Sequence, residues 1–275
     1  MAAIDGILPR RYVRRSVKGL PMLIHSRVLT SEWTRVPGGL MHARAGTALP
    51  SKGTPVVILV HGLAVSSTYM TPTAVRLAPF CRVYAVDLPG FGRSYTPPCA
   101  LSLSALADAL ALWMDALNIP KAHLAGNSFG CQVLAEFAVR HPDHVDRLVL
   151  QGPTVDPGAR TFHQQIFRLL LDSQNEPLPL IRIALKDYWG VGLKRAVETL
   201  KIALEDRIEE KLPHIAMPTL VVQGGKDPLV PQRWAEEVTR LLPRGEIKVI
   251  PGVGHAVNYA APVEFVRAMR SFLLF

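Results

Sequence analysis

Short apolar runs alternate with longer segments in which apolar residues recur every three or four positions. Val56-Val57-Ile58-Leu59-Val60 is an unbroken apolar run, the pattern of a strand covered on both faces. Arg82–Val86, Ala122–Ala125, Arg147–Leu150, Thr219–Val222 and Ile247–Ile250 read the same way. Upstream, Arg35–Val36 and Leu40–Ala45 flank Pro37-Gly38-Gly39, which predicts a hairpin. Leu103, Leu106, Ala107, Leu110, Trp113 and Leu117 fall at helical spacing, with Ser102 or Ser104 as N-cap and a stop at Asn118-Ile119-Pro120. Further helices are predicted from Ser128 to His141, where Pro142 ends the run, over Gln232–Leu242 and over Pro262–Phe272. Alternation of this kind builds an α/β fold: a mostly parallel, doubly wound sheet with helices on both faces.

One stretch breaks the rhythm. Between about Asp156 and Pro213 there is no strand candidate. Ile166, Phe167 and Leu170, then Ile181 and Leu185, then Ala196, Leu200, Ala203 and Leu204 mark helices, interrupted at Glu176-Pro177-Leu178-Pro179. The expected organisation is a basic extension over residues 1–30, a core domain over 31–155 and 214–275, and a small helical cap insertion over 156–213.

Composition narrows the class. At 275 residues, with 49% hydrophobic and 19% charged, the chain suffices for one large core. No apolar run approaches the ~20 residues that cross a bilayer, and no apolar h-region follows the basic start. Cys81, Cys99 and Cys131 are odd in number and scattered, which fits a reducing, cytoplasmic setting and no disulfide framework. The formal charge is +9, and residues 1–50 hold eight Lys/Arg against two acids. Arg10, Arg11, Arg14, Arg15 and Lys18 form a cluster suited to a weak membrane-surface contact, although a solvated extension explains it more simply. Gly90-Phe91-Gly92 lacks the third glycine of a dinucleotide fingerprint. A small-molecule substrate is expected, with no cofactor, no metal and no nucleic-acid partner.

Gly126-Asn127-Ser128-Phe129-Gly130 follows an apolar run and opens a helical segment. In that setting a sharp strand-to-helix turn lifts a serine hydroxyl out of the sheet, and the helix start offers free N–H groups to a developing oxyanion. A serine that merely caps a helix is the alternative. A serine nucleophile needs a base. His255, in Pro251-Gly252-Val253-Gly254-His255, stands in a glycine-rich loop after the last strand, with titration expected at roughly pH 6–7. The base needs a carboxylate to hold its tautomer. Asp227 follows a strand in Gly224-Gly225-Lys226-Asp227-Pro228, though a turn-forming aspartate would look the same. Asp87 and Asp156 are its rivals. Asp87 reads as a turn former and Asp156 as an alternative orienter.

Four segments carry a family resemblance: His61-Gly62-Leu63-Ala64, Asp87 to Ser94 (DLPGFGRS), Gly126 to Gly130, and Gly225 to His255 (GKDPLVP…GVGH). Across about residues 33–275 the chain resembles the α/β-hydrolase superfamily. The resemblance implies an eight-stranded sheet with a cap after the sixth strand. It implies catalytic Ser128, Asp227 and His255, an oxyanion hole from the backbone N–H groups of Leu63 and Phe129, and a structural His61. Serine at position 128, rather than aspartate, points away from epoxide- and halide-processing relatives and toward cleavage of a carboxylic ester, lactone or thioester. Carbon–carbon bond hydrolases of ring-cleavage dienoates resemble the chain too, but typically carry Trp after the base, where Ala256 stands here. Cofactor-free perhydrolase activity and a non-catalytic receptor are further alternatives. Phe162, Phe167, Tyr188 and Trp189 are candidates for the substrate pocket.

Overall fold

The apolar runs become the centre of a single sheet. A computed structural model describes residues 28–47 and 53–273. The basic cluster from Arg10 to Lys18 lies outside the described residues. Strands β1 (Leu29–Val36) and β2 (Gly39–Gly46) form the predicted hairpin, so the last two residues assigned to the extension are already strand. Six strands follow: β3 (Val56–Val60), β4 (Arg82–Val86), β5 (Ala122–Asn127), β6 (Val145–Gln151), β7 (Thr219–Gly224) and β8 (Gly245–Ile250). The spatial order is β1-β2-β4-β3-β5-β6-β7-β8. The β1–β2 and β2–β4 pairs are antiparallel and the other five parallel.

Strand periodicity sorts the central side chains onto two faces. Ile58 and Val60 of β3 join Val86, Leu124, Leu148 and Leu150 in one core. Val57 and Leu59 join Val83, Ala125, Val149 and Val222 in the other. The first face is covered by α2 (Leu103–Ala116), α3 (Phe129–Arg140) and, toward the β8 edge, α8 (Gln232–Leu241), through Trp113, Phe137 and Trp234. The second is covered by α1 (Ser67–Leu77) and α10 (Pro262–Leu273), through Tyr69, Met70, Phe265 and Met269. Each large apolar side chain buried this way contributes about 1.5–3 kcal/mol.

Helix α1 has no counterpart in the sequence reading. Ser66 caps it, Pro72 lies inside it, and hydroxyl residues interrupt its apolar pattern. A proline there removes one backbone hydrogen bond. Burial of Tyr69, Met70, Ala74 and Leu77 against the sheet outweighs that loss. Between β6 and β7 the chain forms α4 (Phe162–Ser173), α5 (Leu178–Val191), α6 (Leu193–Glu205) and the short α7 (Ile208–Lys211), with no strand. The turn α9 (Val257–Ala260) follows β8. Among the described residues no helix is long and apolar enough to cross a membrane.

Candidate active site

The parallel strands deliver their C-terminal ends to one edge of the sheet, where ligands of open α/β sheets gather. Ser128 stands between the last residue of β5 and the first of α3, at φ 55° and ψ −119°. A non-glycine residue in that region costs of order 1–3 kcal/mol and persists only where its surroundings over-determine it. They do. A Cβ at Gly126 would lie 2.7 Å from the Gly130 carbonyl, and one at Gly130 would lie 2.6 Å from the Val60 carbonyl oxygen. The two glycines of the motif therefore let the elbow close onto β3. The Ser128 N–H donates to the Gln151 carbonyl at 3.0 Å. Phe129 begins the helix, so its N–H has no intrahelical acceptor.

Asp227 and His255 meet directly. The Asp227 Oδ1 accepts the N–H groups of Leu229 (2.8 Å) and Val230 (3.0 Å), which turns Oδ2 toward the ring. His255 Nδ1 lies 2.7 Å from that Oδ2. An ionised carboxylate only accepts, so in the neutral ring Nδ1 carries the proton and Nε2 is the basic nitrogen. Nε2 is buried and has no hydrogen-bond partner among the described residues. Gly152 makes room for the ring, since a Cβ there would lie 2.8 Å from His255 Cε1. A Cβ at Gly224 would collide with the Gly254 carbonyl, so the end of β7 and the histidine loop approach as only glycine permits.

Ser128 and His255 share a hub. The Gln151 side chain donates to the His255 carbonyl at 2.7 Å and accepts from Asn127 Nδ2 at 2.7 Å, while its own carbonyl receives Ser128 N–H. Gln151 and Asn127 are buried, and sequence reasoning passed over both. The missed signal is local: each is the polar last residue of a strand that carries an apolar run, where the strand end enters the site. Asp172 and Glu176 were missed as well. Asp172 Oδ1 accepts His255 N–H at 2.9 Å, and Glu176 Oε1 accepts Ala256 N–H at 2.8 Å.

These carboxylates move the base away from its expected range. Burial disfavours the imidazolium, but Asp227, through charge and hydrogen bond, and then Asp172 and Glu176, outweigh it and raise the His255 pKa to about 9. Burial likewise raises Asp172, and pushes Glu176 up to about 7. The expected titration at roughly pH 6–7 allowed for one carboxylate and met three.

The rival aspartates are engaged elsewhere. Asp156 accepts from Arg168 (2.9 Å) and Arg233 (2.6 Å). Asp87 holds its turn, accepting the N–H groups of Ser67 (2.5 Å) and Arg93 (2.9 Å). His61 is buried, with Nδ1 donating to the Gly62 carbonyl at 2.8 Å and Nε2 accepting Leu88 N–H at 3.1 Å. Both ring nitrogens are thus spent on the loops around β3 and β4. Asp87 also ends a second Ser–His–Asp line: Ser31 Oγ lies 3.0 Å from His42 Nε2, and His42 Nδ1 2.7 Å from Asp87 Oδ2. Ser31 sits within edge strand β1. It has neither a strained turn nor a helix start beside it. The pocket candidates are not gathered into an enclosed site: Phe162, Phe167 and Trp189 are exposed, Trp189 to 90%, and Tyr188 is half-buried.

Fold and strand-end geometry together are those of a hydrolase. The sequence profile of the Alpha/beta hydrolase family matches residues 57–268, and the chain belongs to that family. It is similar to the dihydrolipoyllysine-residue acetyltransferase component of an acetoin cleaving system from Pseudomonas putida, 30% identical over 80% of this chain and 64% of that protein. It therefore spans under two thirds of that relative. It is also similar to the "Putative carbamate hydrolase RutD" of Caulobacter sp. strain K31, 28% identical over 86% of this chain and 96% of that one. A solved structure from Acinetobacter baumannii AYE, described as a putative lipase, superposes with TM-score 0.79 at 22% identity, covering 94% of this chain and 98% of that one.

Proposed function

We propose that the chain is a serine hydrolase that cleaves a carboxylic ester, lactone or thioester through an acyl-enzyme on Ser128. The buried, unpartnered Nε2 of His255, opposite an Nδ1–H held by Asp227, is the observation that carries this reading. In the mechanism, His255 Nε2 takes the Ser128 hydroxyl proton as Oγ adds to the carbonyl carbon. The oxyanion is met by the N–H groups of Leu63 and Phe129. The carbon–oxygen bond then breaks and His255 returns its proton to the leaving oxygen. Water repeats the sequence on the acyl-enzyme, and Asp227 keeps the ring oriented throughout. Ser128 and His255 make no direct hydrogen bond, and the mechanism requires one to form in the reacting complex.

Residues 156–213 act in this reading as a cap on a core formed by 31–155 and 214–275. The helix that touches His255 through Asp172 also exposes Phe162, Ile166, Phe167, Leu169 and Leu170, an apolar surface suited to the acyl side of a substrate. Phe162, Phe167, Tyr188 and Trp189 are proposed to contact it. An ester needs only an oxyanion hole and a protonated leaving oxygen, whereas carbon–carbon cleavage also needs polar groups around an anionic dienol. Ala256 beside the base supplies none. Turnover of p-nitrophenyl esters of short to medium chains is the test, with 2-hydroxy-6-oxo-dienoates as the competing substrate. Ready ester hydrolysis with persistent dienoate absorbance is expected. Fast loss of that absorbance, with ester turnover orders of magnitude slower, would reverse the assignment.

A further inference from the structure

Helix α4 is built inside out. Its buried residues are Gln165 and Asp172, and Arg168 between them is half-buried, whereas Phe167 and Leu170 are exposed. The spacing 165, 168, 172 is one helical stripe, so the face turned to the body is polar. Every member of that stripe holds something. Gln165 donates to the Ala159 carbonyl at 2.5 Å. Arg168 donates to Asp156 and, at 3.0 Å, to the carbonyl of Leu229, whose own N–H binds Asp227. Asp172 accepts the N–H of His255, and Glu176, in the turn after α4, accepts that of Ala256. The segment thus grips both the acid loop and the base loop.

The base loop is shaped to receive these carboxylates. A Cβ at Gly254 would lie 2.8 Å from Glu176 Oε1 and 2.9 Å from Asp172 Oδ1. The glycine before the histidine is therefore the notch that two acids of the helical segment fill. Leaving two acids beside a third carboxylate is unfavourable in itself, because like charges at close range raise each other's pKa. Glu176 Oε2 is buried with no hydrogen-bond partner among the described residues. An arrangement serving only to dock the helices would be met as well by neutral amides.

We propose that Asp172 and Glu176 are positioning residues for His255, through which docking of the helical segment sets both the placement of the base and its hold on a proton. This rests on the reading of His255 as the base. The charged groups acting on the imidazole are Asp227 from the loop after β7, Asp172 from α4 and Glu176 from the turn after it, while the neutral Gln151 of β6 binds the His255 main-chain carbonyl; the phenol of Tyr69, from α1, feels the same three acids. The sign follows: each acid stabilises the imidazolium, so removing its charge lowers the pH at which the ring titrates.

The test is an NMR titration of the His255 ring, assigned by its loss in His255→Gln, in the full chain and in two double variants. Asp172→Asn with Glu176→Gln keeps oxygen acceptors and removes both charges. The His255 midpoint should fall by about one pH unit, and the acid limb of kcat/KM should fall with it. Asp172→Ala with Glu176→Ala removes the acceptors too. It should lower kcat by roughly 10- to 100-fold with KM within about 3-fold, and the amide double variant should restore most of that loss. A folded amide variant whose midpoint does not move would overturn the proposal, even if the alanine variant does not fold. Fluorophosphonate labelling of the parent separates the two levels. If Ser128 is unlabelled, the hydrolase mechanism fails and the proposal with it; if Ser128 is labelled and the midpoint is unmoved, the proposal fails alone.

Discussion

The sheet edge and the helical segment above it solve opposite problems. At the edge, Ser128 is fixed in a costly conformation by neighbours that leave it no alternative: Gly126 and Gly130 close the turn, and Gln151 ties it to the histidine loop. Asn127, Gln151 and Asp227 are buried there and hydrogen-bonded. In the segment the order is reversed. α4 presents its polar stripe to the protein and its apolar residues to the outside. A large core makes strain at one residue affordable, and a few directed hydrogen bonds hold a helix whose apolar face is left available.

The contrast breaks most sharply at the proposed triad. Ser128→Ala should cut turnover by on the order of 10⁶-fold with folding intact, and Asp227→Asn should lower kcat by roughly 10³- to 10⁴-fold through the wrong imidazole tautomer. Asp156→Asn, which touches α4 through Arg168 rather than His255, should change kcat far less than Asp227→Asn. Steady-state kinetics on one ester decides both, and equal losses in the two aspartate variants would erase the distinction between edge and segment.

A smaller effect sharpens the same contrast in stability. Trp113 of α2 is fully buried and Trp189 of α5 is 90% exposed. Trp113→Ala should cost about 3–5 kcal/mol. Trp189→Ser should stay within about 0.5 kcal/mol. Urea unfolding measures both, and a large loss at Trp189 would mean that the segment packs as a core.

Legibility in the sequence follows the same division. Strands covered on both faces announce themselves as apolar runs, and β3 and β4 begin and end where those runs do. The runs stop short in β5, β6 and β7, which extend into Asn127, Gln151 and Gln223. Hydrophobicity cannot mark the residues that a site requires to be polar. Ser128, Asp227 and His255 were legible because each sits in a glycine-bearing turn just past a strand. Asp172 and Glu176 were not, because an acid within an apolar helical segment looks like a solvated face until the fold brings His255 against it. β1 was read only at its end because this edge strand is buried only at Leu29 and Val36 and carries few apolar residues between them.

The most direct test of the account is the site of covalent labelling. Two Ser–His–Asp sets compete: the proposed Ser128, His255 and Asp227, of which His255 and Asp227 are paired at the sheet edge, and Ser31 with His42 and Asp87 at the hairpin. Only the first combines a strained turn, a helix start and a free ring nitrogen. Peptide mapping after reaction with a fluorophosphonate should place one adduct on Ser128 and none in Ser128→Ala. An adduct on Ser31, or labelling that survives Ser128→Ala, would contradict it.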